Sequence, residues 1–183
     1  MLTVFVFAKN LANPASVATK ASHESGHGFG LNHQSSWSGG TKTEYYAGPG
    51  DGTSPIMGGG GAARTLWWYG TTISASSYQN DMELIARAAN GFGYRTDNDG
   101  DSPSGAIPLT ANAGLLTASG TIERMNDVDY LSFTSNGGLI HITTDTSSPY
   151  NNLIGRTELR DPTGNLLATA LSSTPTFSHT IAP

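Results

Sequence analysis

With 183 residues, 14 acidic against 9 basic side chains and a formal charge of −5, the chain has no basic stripe able to neutralise phosphates, so nucleic acid is not an expected partner. Only 13% of residues are charged while glycine numbers 23, a loop-rich composition typical of an exported surface. The absence of cysteine excludes a thiol nucleophile, a thiolate-bound metal and any disulfide framework.

The first apolar stretch, Leu2–Ala8, has no basic residues before it and is too short to span a bilayer; its β-branched and aromatic centre, Thr3–Phe7, predicts a strand. No run approaches the roughly 20 apolar residues of a transmembrane helix, so no membrane span is expected. Asn10–Pro14 reads as a turn and Ala15–Phe29 as a helix with a polar, histidine-rich face that ends at Gly30. From Asn32 to Gly61 the chain is crowded with Gly, Ser and Thr without periodicity, which predicts a long irregular loop of the kind that carries function. Ser76–Asn90 predicts a second helix, with Ser76 or Ser77 as N-cap, an apolar side from Met82, Leu84, Ile85, Ala86, Ala88 and Ala89, and a stop at Gly91 and Gly93. Arg95–Gly105 is acidic and rich in turn formers and is the expected linker. Beyond it, Leu115–Ile122, Asp129–Phe133, Leu139–Thr143, Thr157–Arg160 and Leu166–Ala170 alternate with turn residues, as in a β-sandwich. The expected class is α+β, with a helix-bearing domain over 1–94, a linker over 95–105 and an all-β sandwich-like domain over 106–183.

The segment His23-Glu24-Ser25-Gly26-His27-Gly28-Phe29-Gly30-Leu31-Asn32-His33 fits H-E-x-x-H-x-x-G-x-x-H at every fixed position. Residues four apart on a helix share a face, so His23 and His27 can reach one metal ion. Gly30 can adopt the left-handed conformation that turns the chain and brings His33 back as a third ligand. Three neutral imidazoles leave a fourth position for water, the arrangement of a catalytic rather than structural zinc site. Glu24, beside the first ligand, is the expected general base: it takes the proton of a zinc-bound water that attacks a peptide carbonyl, then protonates the leaving amine.

These residues resemble the metzincin metallopeptidases. The resemblance implies that Met57, in Ser54-Pro55-Ile56-Met57-Gly58, forms the apolar floor beneath the three histidines, the alternative being ordinary packing. Some metzincins add a tyrosine two residues after this methionine; Gly59 stands there, so that tyrosine ligand is not expected. Trp67-Trp68-Tyr69, Gln79-Asn80-Asp81-Met82-Glu83-Leu84-Ile85-Ala86 and Gly91-Phe92-Gly93-Tyr94-Arg95 follow in the order of a bacterial, exported metzincin-like subgroup, and are read as support for the fold. Further on, Asp127-Val128-Asp129-Tyr130-Leu131-Ser132-Phe133 and the segments around Gly120–Arg124 and Glu158–Asn165 resemble the bacterial pre-peptidase C-terminal domain, a small non-catalytic β-sandwich.

The resemblance implies a zinc endopeptidase acting on extracellular protein, secreted or at the cell surface, with the signal peptide outside this chain. Only about 20 residues precede His23 and the accessory domain stops before its closing strands, so both domains are expected to be partial. The competing reading is a non-catalytic surface binding or adhesion module derived from a peptidase. Among weaker signals, Asp97-Asn98-Asp99-Gly100-Asp101 suggests either a calcium loop or a solvated acidic linker, since Pro108 stands where an EF-hand would need its twelfth-position Glu. Gly100-Asp101-Ser102 lacks the partners of a serine nucleophile, the Gly58–Gly61 run lacks a phosphate-loop ending, and His141 and His179 read as surface or strand residues.

Overall fold

The computed structural model describes residues 3–11, 13–59, 64–97, 99–145 and 153–183. Asn98 of the acidic run and Gly60 and Gly61 of the glycine run lie outside the described residues. The chain combines helices with strands, an α+β composition, and divides into two compact units, Met1–Gly93 and Tyr94–Pro183. No helix among the described residues is long and apolar enough to cross a membrane.

In the first unit, α1 spans Pro14–Gly28. Asn13 caps it, its side chain accepting from Ser16 N at 2.9 Å, and Pro14 occupies the first turn where its missing N–H is not needed. The helix ends in a Schellman turn. Gly30 sits at φ +94°, Gly30 N donates to His27 O and Leu31 N donates to Gly26 O, both at 3.0 Å. Arg87 Nη2 donates to the exposed Phe29 carbonyl at 3.1 Å and further closes the terminus.

The segment predicted as an irregular loop is instead partly laddered. β1 (Ser36–Ser38) and β2 (Thr41–Thr43) form a hairpin whose two turn glycines, Gly39 and Gly40, have φ of 54° and 81°, the left-handed pair that suits a tight hairpin. β3 (Thr53–Pro55) runs parallel to β4 (Arg64–Leu66), and β5 (Tyr69–Thr71) pairs antiparallel with β6 (Tyr78–Asn80). The predicted helix from Ser76 is also corrected: α2 covers only Asp81–Ala86, with Asn80 rather than Ser76 or Ser77 as its cap. Residues 78–80 are taken up by the β5 ladder, and Arg87 is extended at ψ 149°, which ends the helix before Asn90. Thr3–Phe7 forms no ladder among the described residues, and Phe5 and Phe7 are exposed.

The apolar core of this unit is small: Leu31, Ile56 and Met57, flanked by Trp67, Leu84 and Ile85. Polar groups are buried beside it, among them Gln34, Ser54, Gln79 and Asp81. Burial of such groups costs free energy unless hydrogen bonds replace water; Ser54 Oγ and Gln34 Oε1 have no partner among the described residues, whereas Asp81 is fully engaged. Asp81, fully buried, accepts from Gln34 Nε2 (3.0 Å), Gln79 Nε2 (2.8 Å) and Trp68 N (2.9 Å).

The second unit is built of short strands: β7 (Ile107–Pro108), β8 (Thr110–Asn112), β9 (Leu115–Thr117), β10 (Leu131–Ser132), β11 (Gly138–Thr143), β12 (Gly155–Arg160), β13 (Leu166–Ser172) and β14 (Thr176–Ile181). The two long antiparallel ladders are β11 with β14 and β12 with β13; β8 pairs with β9, and β7 runs parallel to β10. Among the described residues each ladder has two strands. The acidic stretch belongs to this unit, where Gly100 O accepts from Tyr130 N at 3.1 Å.

Candidate metal centre

His23 and His27 project from α1, and the turn at Gly30 returns the chain so that His33 joins them. One nitrogen from each ring lies within 4.8 Å of the others. His23 is buried, whereas His27 is exposed and His33 half-buried.

Each ring is anchored at Nδ1. His23 Nδ1 meets Ile56 O at 2.7 Å, His27 Nδ1 meets Leu31 O at 2.9 Å, and His33 Nδ1 meets Glu44 Oε1 at 2.7 Å. A carbonyl or carboxylate oxygen only accepts, so these partners assign the proton to Nδ1 and leave the Nε2 lone pair free. His27 Nε2 and His33 Nε2 stand 3.0 Å apart. Two lone pairs at that separation repel unless an electrophile lies between them or one ring is protonated. The donor set therefore fits a metal cation, for which imidazole nitrogen is a common ligand.

The electrostatics agree. Burial pushes His23 below the ordinary imidazole range, the hydrogen bond to Ile56 opposing this and the neighbouring imidazoles of His27 and His33 adding to it. Hydrogen bonds from Lys42 and then His33 hold Glu44 below the usual carboxylate range. Glu24, next to His23, is half-buried, and its carboxylate makes no hydrogen bond to a described residue.

Met57 lies in a tight turn in which Gly58 N donates to Pro55 O at 3.0 Å. It is fully buried and reaches α1 at Gly26, between the two helical histidines: a Cβ on residue 26 would stand 2.5 Å from Met57 Sδ. The preceding carbonyl, Ile56 O, is the one that holds His23, and Met57 O accepts from Gln34 N at 2.8 Å. One turn thus supplies both an apolar contact to the helix and a polar anchor for His23.

Several residues of the site were not singled out from the sequence. Gln79 clamps the chain just before His33, its Oε1 accepting from Asn32 N (2.9 Å) and its Nε2 donating to Asn32 O (3.0 Å). Tyr45, at φ 62°, places its ring 4.6 Å from that of His33 and 6.5 Å from that of His23. No local pattern marks Glu44, Tyr45 or the role of Gly26, and the Q-N-D run that contains Gln79 reads only as support for the fold.

In the second unit, Asp97, Glu123 and Asp127 bring carboxylate oxygens within 4.8 Å of one another. Burial, then the hydrogen bond with Asp127, raises Glu123; burial, then Asp99, raises Asp129. His141 bonds Ser178 across the β11–β14 ladder at 2.6 Å, and His179 lies on β14, so both are strand residues. Ser102 pairs with Ser104 at 3.1 Å.

A scan against protein-family models and searches of curated proteins and of solved structures find no match to this chain.

Proposed function

We propose that the first unit is the active-site part of a zinc-dependent endopeptidase of the metzincin type, accompanied by a β-rich accessory unit of the pre-peptidase C-terminal type and working outside the cell. The observation that carries this reading is the convergence of His23, His27 and His33, each with Nδ1 engaged, beside the carboxylate of Glu24, which has no hydrogen-bond partner among the described residues. His23, His27 and His33 would hold the ion. When bound, zinc would supply Lewis acidity that polarises a peptide carbonyl and acidifies water.

The chain's own residues supply the rest. Ionised Glu24 accepts a proton from water as that water adds to the carbonyl carbon, and returns the proton to the amide nitrogen as the C–N bond breaks. Its oxygens, with no hydrogen-bond partner among the described residues, are available for both steps. Ile56 O, Leu31 O and Glu44 keep the three rings in one tautomer and orientation, so no reorganisation is needed when the metal binds. Met57 fixes the depth of the turn against α1.

Metal analysis of the purified chain tests the first half of the reading: about one zinc per chain, lost in His27→Ala, is expected. Peptide hydrolysis tests the second. Glu24→Gln should retain zinc and lose nearly all turnover; undiminished hydrolysis would sink the mechanism, and zinc binding without hydrolysis in the unaltered chain would favour the non-catalytic binding module.

A further inference from the structure

The three ligands are not held alike. His23 and His27 are fixed by backbone carbonyls of Ile56 and Leu31, both residues of the buried apolar core, so their orientation is lost only if that core opens. His33 lies beyond the helix with its side chain 25% exposed, and its Nδ1 partner is a side chain, the Glu44 carboxylate, itself 41% exposed.

The segment bearing Glu44 is built to aim it. Lys42 Nζ binds Glu44 Oε2 at 2.5 Å, which leaves Oε1 for His33. Two residues on, Tyr46 N donates to Gln34 O at 2.8 Å, tying the segment to the residue after His33. Tyr45 between them takes a left-handed backbone at φ 62°, a conformation that is costly for a non-glycine residue and persists only where its surroundings enforce it. That local twist joins the Glu44 side-chain contact to the Tyr46 backbone contact.

We infer that Glu44, steadied by Lys42, is the positioning residue of the third ligand: its carboxylate fixes the Nδ1–H tautomer and the direction of His33, and so sets how tightly the site retains a metal. The inference rests on the reading of the three histidines as a metal centre, and needs no assumption about what the centre does. A carboxylate on the far nitrogen of a ligating imidazole both orients the ring and raises its basicity.

Two variants test it. Glu44→Ala removes the acceptor, whereas Glu44→Gln keeps an acceptor oxygen without the charge and is less prone to disturb the fold. Zinc affinity, measured by competition with a chromophoric chelator, should fall about 10–100-fold in Glu44→Ala, with Glu44→Gln nearer to the unaltered chain. Long-range ¹H–¹⁵N spectra of the metal-free chain should find the His33 proton on Nδ1, moving to Nε2 in Glu44→Ala. Equal zinc affinity in all three chains, or a His33 proton on Nε2 in the unaltered chain, would overturn the inference. Zinc binding with this dependence but no peptide cleavage would sink the peptidase reading and leave the role of Glu44 standing.

Discussion

Met57 and Gly26 meet where no side chain on residue 26 would fit: a Cβ there would lie 2.5 Å from the methionine sulfur and 3.2 Å from Leu31 Cδ1. Replacing a helical glycine by alanine ordinarily stabilises by about 0.5–1 kcal/mol. Here overpacking outweighs that gain, and Gly26→Ala is expected to destabilise by about 1–3 kcal/mol in chemical denaturation. Combined with Met57→Ala, the loss should be smaller than the sum of the two single changes, because the second removes the atom the first collides with.

The clamp between Gln79 and Asn32 gives a second prediction. Gln79→Met keeps the volume but leaves Asn32 N, Asn32 O and one bond of buried Asp81 unmade. Asn32 is exposed, so water can meet its N and O, and the penalty falls mainly on buried Asp81: a loss of about 1–3 kcal/mol is expected in denaturation, with weaker zinc retention. A loss below 1 kcal/mol would mean that water replaces the amide.

Tyr45→Gly removes the left-handed strain of about 1–2 kcal/mol and adds glycine's entropic penalty of about 0.5–1 kcal/mol. Stability should be unchanged or slightly raised. Zinc affinity should fall, since the Glu44 segment is freed and the ring beside His33 is gone. A clear destabilisation would mean that the ring packing outweighs the backbone strain.

Acid should release the metal and weaken the fold together. Burial holds His23 below its ordinary value of 6.5, so between that pH and its folded value the unfolded chain binds more protons than the folded one. The stability from His23 is therefore complete above 6.5 and lost as pH falls through the folded value. Zinc retention followed by metal analysis should also decline on acidification, because a ligand imidazole must be neutral.

In the second unit the sign is reversed. Burial and the neighbouring carboxylates raise Asp129, so its contribution is favourable at low pH and is lost as pH rises through its folded value. Its Oδ1 is buried without a hydrogen-bond partner. Asp129→Asn should raise the melting temperature near neutral pH and flatten its pH dependence. An unchanged melting temperature would show that solvent already screens the cluster.

What could be read from the sequence was what local residues dictate. The His23–His33 spacing, the stop at Gly30 and the turn around Met57 each depend on a few adjacent residues, and the structure brings all of them together. The helix expected from Ser76 overran because nothing local announces that Tyr78–Asn80 pair with β5. Glu44 and Gln79 were not legible as site residues for a related reason. They act through polar side-chain contacts to residues 11 and 47 positions away, and such contacts leave no periodicity to read. The glycine-rich stretch after His33 hid two short ladders because its turn residues resemble those of any loop.

The Gln79 clamp also orders the events of synthesis. A nascent chain that has cleared the ribosome only as far as Met57 already displays the three histidines of the cluster, yet the amide that locks Asn32, and with it the approach to His33, has still to be made. The cluster therefore sets into its final shape late, after the β5–β6 hairpin has emerged and closed. A half-made chain carries loose imidazoles rather than a finished cage, and the capacity to hold an ion firmly arrives together with the completed unit.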